Sequence, residues 1–278
     1  MAAIGVMAQP ALNTGSGELL PRIASAAVLA PLALAATYAG SPVFEGALVV
    51  VAGVLAWEWT IMCQSRRPVP VRALLTLAVV GAILAVMAGS PLYAAVVIAI
   101  GAAAARMVEG GEHRAWMAAG AVYIGLPLAA CEWLRVSGAH GREFVTWLLI
   151  VVWAADTVAY LFGRTFGGPK LAPAISPKKT WAGLAGAAVG AALAGALVAV
   201  ALGARDALGM AGMAAIFGLA GQGGDLLESA IKRRFGVKDA SRLIPGHGGL
   251  FDRLDAFMAV IVFATLARLA GWQGGDPW

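Results

Sequence analysis

The sequence predicts an all-α polytopic membrane protein with about nine transmembrane helices, and three observations predict it. Hydrophobic residues fill 60% of the 278 positions and charged residues only 13%, with a mean hydropathy of +0.82. A soluble domain carries about 25% charged residues. Apolar runs near the ~20 residues that cross a bilayer recur along the chain. The Lys and Arg residues concentrate in alternate connections between those runs, as expected when basic loops are retained on one side of a membrane.

In order, the expected spans are residues 22–39, 43–62, 71–89, 91–105, 115–134, 144–163, 182–203, 208–227 and 254–271. The second holds Glu58 between Trp57 and Trp59, an acid that reaches the inner interface or pairs with Arg66 or Arg67. Only Gly89-Ser90-Pro91 divides the third from the fourth, so the count is eight if that run is continuous. The sixth carries Asp156 and Tyr160 four apart near its end; an acid inside a span faces the bundle interior and serves a site or a partner. The seventh places Gly186 and Gly190 four apart, a small-residue spacing for close helix packing. The eighth ends in GQGGDLLESAIKRR and the ninth opens with GHGGLFDRLD. These make one integral membrane domain, 1–278, with an N-terminal transmembrane half, 1–143, and a C-terminal catalytic half, 144–278, that holds the concentrated motifs.

With nine spans, sixteen of the twenty basic residues lie on one side, which should be cytoplasmic. The N-terminus is then inside. The net charge of +5 reflects this topology and gives no reason to expect nucleic acid as a partner. Residues 1–21 lack a basic stretch followed by an apolar core, so no removable signal peptide is expected. Cys63 and Cys131 fall toward opposite faces and should not pair; both read as packing residues.

The segment 229–255 gathers nine of the 35 charged residues in 27 positions, between two apolar spans. Charge beside a bilayer needs a reason. Asp225, Glu228, Ser229 and Lys232 follow a 3–4 spacing that puts them on one helical face, and Gly221, Gly223 and Gly224 before them let a ligand or another backbone approach. A surface acid–base ladder explains that spacing equally well. Asp252 and Asp255 share a face in the first turns of the last helix, where the positive helix end alone favours a carboxylate. Four acids converging from two helix ends beside so basic a loop nevertheless call for a cation. Hard oxygen ligands suit Mg²⁺, which bridges one or two carboxylates and substrate phosphates.

Lys232, Arg233, Arg234, Lys238 and Arg242 offer a cradle for a highly anionic ligand, although positive-inside topology also accounts for a basic run. His247-Gly248-Gly249 leads into the last helix, whose free N–H groups can receive a phosphate oxygen. A second basic, Gly/Pro-rich loop, 163–183, contains Ser176, Lys178, Lys179, Thr180 and Trp181.

On these residues the chain resembles the phosphatidate cytidylyltransferases (CDP-diacylglycerol synthases). The likeness rests on Ser229-x-Ile231-Lys232-Arg233, Lys238-Asp239, Ser241, Ile244-Pro245, His247-Gly248-Gly249 and Asp252-Arg253-Leu254-Asp255. It is close over 156–255 and general over the first half. The resemblance implies transfer of a cytidylyl group from CTP to phosphatidic acid, giving CDP-diacylglycerol and pyrophosphate, with Mg²⁺ as cofactor. The basic loops put the site at the cytoplasmic rim of a multi-pass protein, and the high Ala/Gly content and compact layout suggest the bacterial inner membrane; a homodimer is admitted but not specified. Asp225, Asp252 and Asp255 are the expected metal ligands. Lys232, Asp225 and Asp252 are the expected catalytic residues. Ser176, Lys178, Lys179, Thr180, Ser229, Arg233, Lys238, His247, Gly248, Gly249, Arg253 and Asp156 are the expected substrate contacts.

Two rivals remain at this level. A transporter would suit many spans with intramembrane acids, but the charged motifs sit at span ends and not at the midplane. CTP-using polyprenol or phytol kinases share related membrane segments and would release CDP in place of pyrophosphate. Enzymes that consume CDP-alcohols fit poorly, because their D-x₂-D-G-x₂-A-R pattern is absent.

Overall fold

The computed structural model describes residues 19–244 and 248–272. Among them the chain forms α1 (Leu19–Ala39), α2 (Val43–Met62), α3 (Pro68–Met87), α4 (Pro91–Glu109), α5 (Arg114–Val136), α6 (Gly141–Phe166), β1 (Lys170–Ala172), β2 (Ser176–Thr180), α7 (Trp181–Ala201), α8 (Ala207–Arg234) and α9 (Phe251–Leu269). The seven helices α2 to α8 are long and apolar enough to cross a membrane. In α1 the apolar stretch is Ala27–Ala39. Helix α9 has 19 residues but carries Asp252, Arg253, Asp255 and Arg268. The protein is an all-α, multi-pass membrane protein.

The break at 89–91 is real, so the described helices number nine and not eight. Gly89 turns the chain at φ +75°, where glycine pays no steric penalty, and Pro91 starts α4 because a first-turn residue needs no N–H partner. Helix α8 runs to Arg234, beyond its apolar part, so Asp225, Glu228 and Lys232 are held on a rigid element. The basic loop expected at 163–183 departs from all-helix structure: β1 and β2 pair antiparallel, Lys170 with Thr180 and Ala172 with Ser176. Pro173, lacking an N–H, sits where the hairpin turns and a ladder bond is not needed.

Glycine sets the helix spacing. A Cβ at Gly186 would come 2.6 Å from that of Phe162, and one at Gly190 would come 2.5 Å from that of Val158, so α6 and α7 touch only because both positions lack side chains. Gly224 does the same for α8 against α9, where a Cβ would lie 2.5 Å from that of Ala259. Trp59, Trp147, Phe144, Phe217 and Phe251 are fully buried. Both Trp indoles find acceptors, Trp147 on the Gly195 carbonyl at 2.8 Å and Trp59 on that of Trp116 at 2.9 Å. Large apolar side chains such as Leu77, Leu84, Leu92, Ile100, Leu193 and Leu197 face outward, as a hydrocarbon surrounding allows.

The connections α2–α3, α4–α5, α6–β1, β2–α7 and α8–α9 share one end of the bundle. Gln64 Nε2 donates to the Phe235 carbonyl at 3.5 Å, tying α2–α3 to α8–α9, and Arg233 Nε in the last turn of α8 donates to the carbonyl of Ile175 in the hairpin turn at 3.4 Å. At the other end Arg135 lies 3.9 Å from Glu45, and Arg268 donates to the Ser137 carbonyl at 3.2 Å. Cys63 and Cys131 are both free and buried.

Candidate active site

A cavity of about 600 Å³ opens at the basic end, between α6, the β1–β2 hairpin, α8 and α9. Asp156 reaches it from the last turns of α6. Lys178, Lys179 and Thr180 come from β2, Asp225 and Lys232 from α8, and Arg253, Asp252 and Asp255 from the opening turns of α9. Five acids and five bases line it, so charge segregation and not net charge defines the site. Arg164, Lys178 and Arg253 are exposed, while Asp255 is buried against α8.

Carboxyl oxygens of Asp225, Glu228 and Asp255 all lie within 4.8 Å of one another. Glu228 is fully buried and neither of its oxygens has a hydrogen-bond partner, although Lys232 Nζ approaches Oε2 to 2.5 Å out of hydrogen-bond alignment. The same ammonium donates to Asp252 Oδ1 at 2.5 Å, so Lys232 bridges the two acids. Three carboxylates this close, one of them fully buried and sharing its only ammonium with Asp252, are expensive to keep charged together. A divalent cation satisfies all three, and an all-oxygen donor set is the one Mg²⁺ prefers. The residues present therefore fit that ion.

The acids that gather differ from the expected ligand set by one member. Asp252 stands in the cavity wall, but its carboxylate already receives Lys232, the Gly249 N–H at 2.7 Å and the Ala240 N–H at 3.0 Å. Glu228 takes its place in the triad because one helical turn after Asp225 points the same way, whereas Asp252 is turned toward the loop it caps.

On the opposite wall a polar relay crosses from helix to hairpin. Gln222 Nε2 donates to Asp156 Oδ1 at 3.0 Å, and Gln222 Oε1 accepts from Lys179 Nζ at 2.9 Å. Lys179 also pairs with Asp225 Oδ2 at 2.7 Å. Sequence reasoning passed over Gln222; the available signal was a lone amide in an apolar helix, three residues before an acid. Tyr160, Arg164 and Asp239 are further lining residues it did not assign to the site.

Other expected contacts divide. Thr180 lines the cavity, yet its Oγ1 caps α7 by accepting the Gly183 N–H at 3.0 Å. Ser229 Oγ donates to Asp225 Oδ1 at 3.2 Å and orients that acid. Ser176, Arg233 and Lys238 lie outside the lining, Arg233 being spent on the carbonyls of Ile175 and Val237. The N–H groups from Gly249 onward are not open to a phosphate, because protein carboxylates take them. The Gly249 N–H belongs to Asp252, and those of Leu250 and Phe251 belong to Glu58. His247 lies outside the described residues.

Glu58 is the largest surprise. It does not pair with Arg66 or Arg67: it is fully buried and accepts from Ser241 Oγ at 2.6 Å, the Leu250 N–H at 2.9 Å and the Phe251 N–H at 2.7 Å. Arg66 is occupied elsewhere, its N–H on Glu109 at 2.7 Å and its guanidinium on Glu112 at 3.2 Å.

The model of the cytidylyltransferase family matches residues 20–269. A phosphatidate cytidylyltransferase of Brucella abortus biovar 1 (strain 9-941) is 37% identical over 262 residues, covering 94% of this chain and 96% of that protein. One of Staphylococcus aureus (strain COL) is 39% identical over 140 residues, half of this chain and 53% of the other.

Proposed function

The chain belongs to the cytidylyltransferase family, and we propose that it is a phosphatidate cytidylyltransferase of phospholipid biosynthesis. CTP and phosphatidic acid are its substrates and CDP-diacylglycerol and pyrophosphate its products. The observation that carries this reading is one cavity with Asp225 and Asp255 in its wall, buried Glu228 close behind them, and Lys178, Arg164 and Arg253 around it, placed at the end of a membrane bundle. A soluble, highly anionic nucleotide and a lipid phosphate can meet only at such a rim.

In the reaction a phosphatidate oxygen attacks the α-phosphorus of CTP in line. The new P–O bond forms as the bond to the β-phosphate oxygen breaks, and pyrophosphate leaves with that electron pair. The attacking phosphate is already ionised near neutral pH, so no general base is required. Transfers of this kind depend on positioning and charge neutralisation. Lys178, Arg164 and Arg253 draw the phosphates in and hold them as point charges or paired donors. Lys179 and Lys232, fixed by Asp225 and by Glu228 with Asp252, keep the floor from collapsing on itself. Asp225, Glu228 and Asp255 would hold Mg²⁺, which supplies Lewis-acid neutralisation of the triphosphate.

The basic end faces the cytoplasm of a bacterial cell, because short Lys/Arg-rich loops are retained there and because CTP is cytosolic. Purified protein in detergent, given CTP, phosphatidate and Mg²⁺, is expected to release pyrophosphate only when both substrates are present. Release of CDP would assign a lipid kinase in its place, and absence of any CTP-dependent product removes the reading.

A further inference from the structure

We infer that Glu58, in the half of the chain without the charged motifs, is the positioning residue that holds the α9 acids at their working register. The inference rests on the cytidylyl-transfer reading of the site. Helix α9 begins with Leu250 as its N-cap, and no side chain of its own caps it there. The first N–H groups of a helix must be satisfied from somewhere. Glu58 does this from α2: one oxygen takes the Leu250 N–H and the Ser241 hydroxyl, the other takes the Phe251 N–H.

The next residue after Phe251 is Asp252, which fixes Lys232, and Asp255 of the carboxylate triad follows within the same turn. The angle and depth at which those acids enter the cavity are therefore set by a side chain outside it. Aromatic packing holds the same turn from the same direction, with Phe251 5.7 Å from the Trp59 ring and 5.5 Å from the Tyr123 ring. Gly249 leaves the space Glu58 needs, since a Cβ there would collide with its carboxylate. By filling the positive helix end with a protein carboxylate, Glu58 also keeps a substrate phosphate from binding there in a wrong pose.

The chemistry requires a carboxylate. Three donors converge on two oxygens, and the amide of a glutamine would turn an N–H₂ toward at least one of them. Glu58→Gln conserves volume and breaks only this match.

The test compares wild type with Glu58→Gln, Glu58→Asp and Ser241→Ala in three measurements: kcat and KM for CTP, melting temperature, and hydrogen–deuterium exchange over residues 249–255. For Glu58→Gln, kcat is expected to fall about 10²-fold with KM for CTP within about threefold, the scale of a misplacement near 1 Å. Exchange at Leu250 and Phe251 should accelerate at least about tenfold while the rest of α9 stays protected. Ser241→Ala, which removes one donor and leaves the carboxylate, should show the same signature at about fivefold, and reports even if the Glu58 variants do not fold. Glu58→Asp, too short to span both N–H groups, should resemble the glutamine variant. Wild-type kcat and exchange in Glu58→Gln would overturn the inference. So would a kcat loss that follows only the loss of folded protein, with exchange over 249–255 unchanged. A wild-type protein that forms no CDP-diacylglycerol overturns the reaction itself; exchange then decides separately whether Glu58 holds the turn.

Discussion

Lys179 on β2 and Asp225 on α8 meet at 2.7 Å, and that ion pair fastens the hairpin to the helix that carries two of the three gathered acids. The same ammonium reaches Gln222 and, through it, Asp156 of α6. Three elements therefore register on one cation, and the cavity floor is built as a unit.

The first prediction concerns that floor. Asp225→Asn and Asp255→Asn should each lower CTP-dependent pyrophosphate release by about 10²–10³-fold, the effect of removing a group that organises transition-state charge. Chelator should stop turnover and Mg²⁺ restore it. Mg²⁺ at 100 times its dissociation constant should also stabilise the wild-type fold by about 2.7 kcal/mol, seen as a higher melting temperature. That shift should vanish in Asp255→Asn.

Lys232 provides a stability test. Its side chain is 9% exposed, between Asp252 of the cavity wall and fully buried Glu228. Lys232→Met keeps the volume but strands Glu228, which should cost about 3–5 kcal/mol. Adding Glu228→Gln should recover part of the melting temperature and none of the activity. An unchanged melting temperature in Lys232→Met would mean the bridge contributes nothing.

The α6–α7 seam can be probed without touching the site. Gly190→Leu drives a side chain into Val158, and overpacking of this kind costs about 1–3 kcal/mol. The variant should melt earlier, and turnover per folded molecule should stay near wild type. Retained stability would show that the helices have room to separate.

Cysteine reactivity offers a cheap check on burial. Cys63 is inaccessible, and desolvation pushes its thiol well above the usual range, so almost no thiolate exists near neutral pH. Cys131 is equally buried. A thiol reagent should label neither in folded protein and both after denaturation.

Much of this arrangement is readable from the chain, for identifiable reasons. Helix order follows from apolar runs of spanning length, and the α3–α4 break from Gly89 and Pro91. The convergence of α8 and α9 follows from acids spaced three and four apart. What the chain hides is long-range. Nothing local says that Glu58 caps a helix 193 positions later in place of pairing with the nearby Arg66. Whether Asp252 or Glu228 joins Asp225 and Asp255 depends on which way the first turn of α9 faces, and that is fixed by Glu58, Ala240 and Gly249 together. The hairpin is masked because Gly and Pro around 167–177 read as irregular chain, although Lys170 and Ala172 find strand partners across the turn.

The bond between Glu58 and the start of α9 also orders events during biosynthesis. The ribosome finishes α2 early and must make most of the remaining protein before the amides that bind it exist. A nascent chain stalled after α8 would already expose Asp225, Glu228 and Lys232 to the cell's nucleotides, yet would have no way to orient them. The full set of acids can be oriented only once α9 has been made and its first turn has met Glu58 of α2.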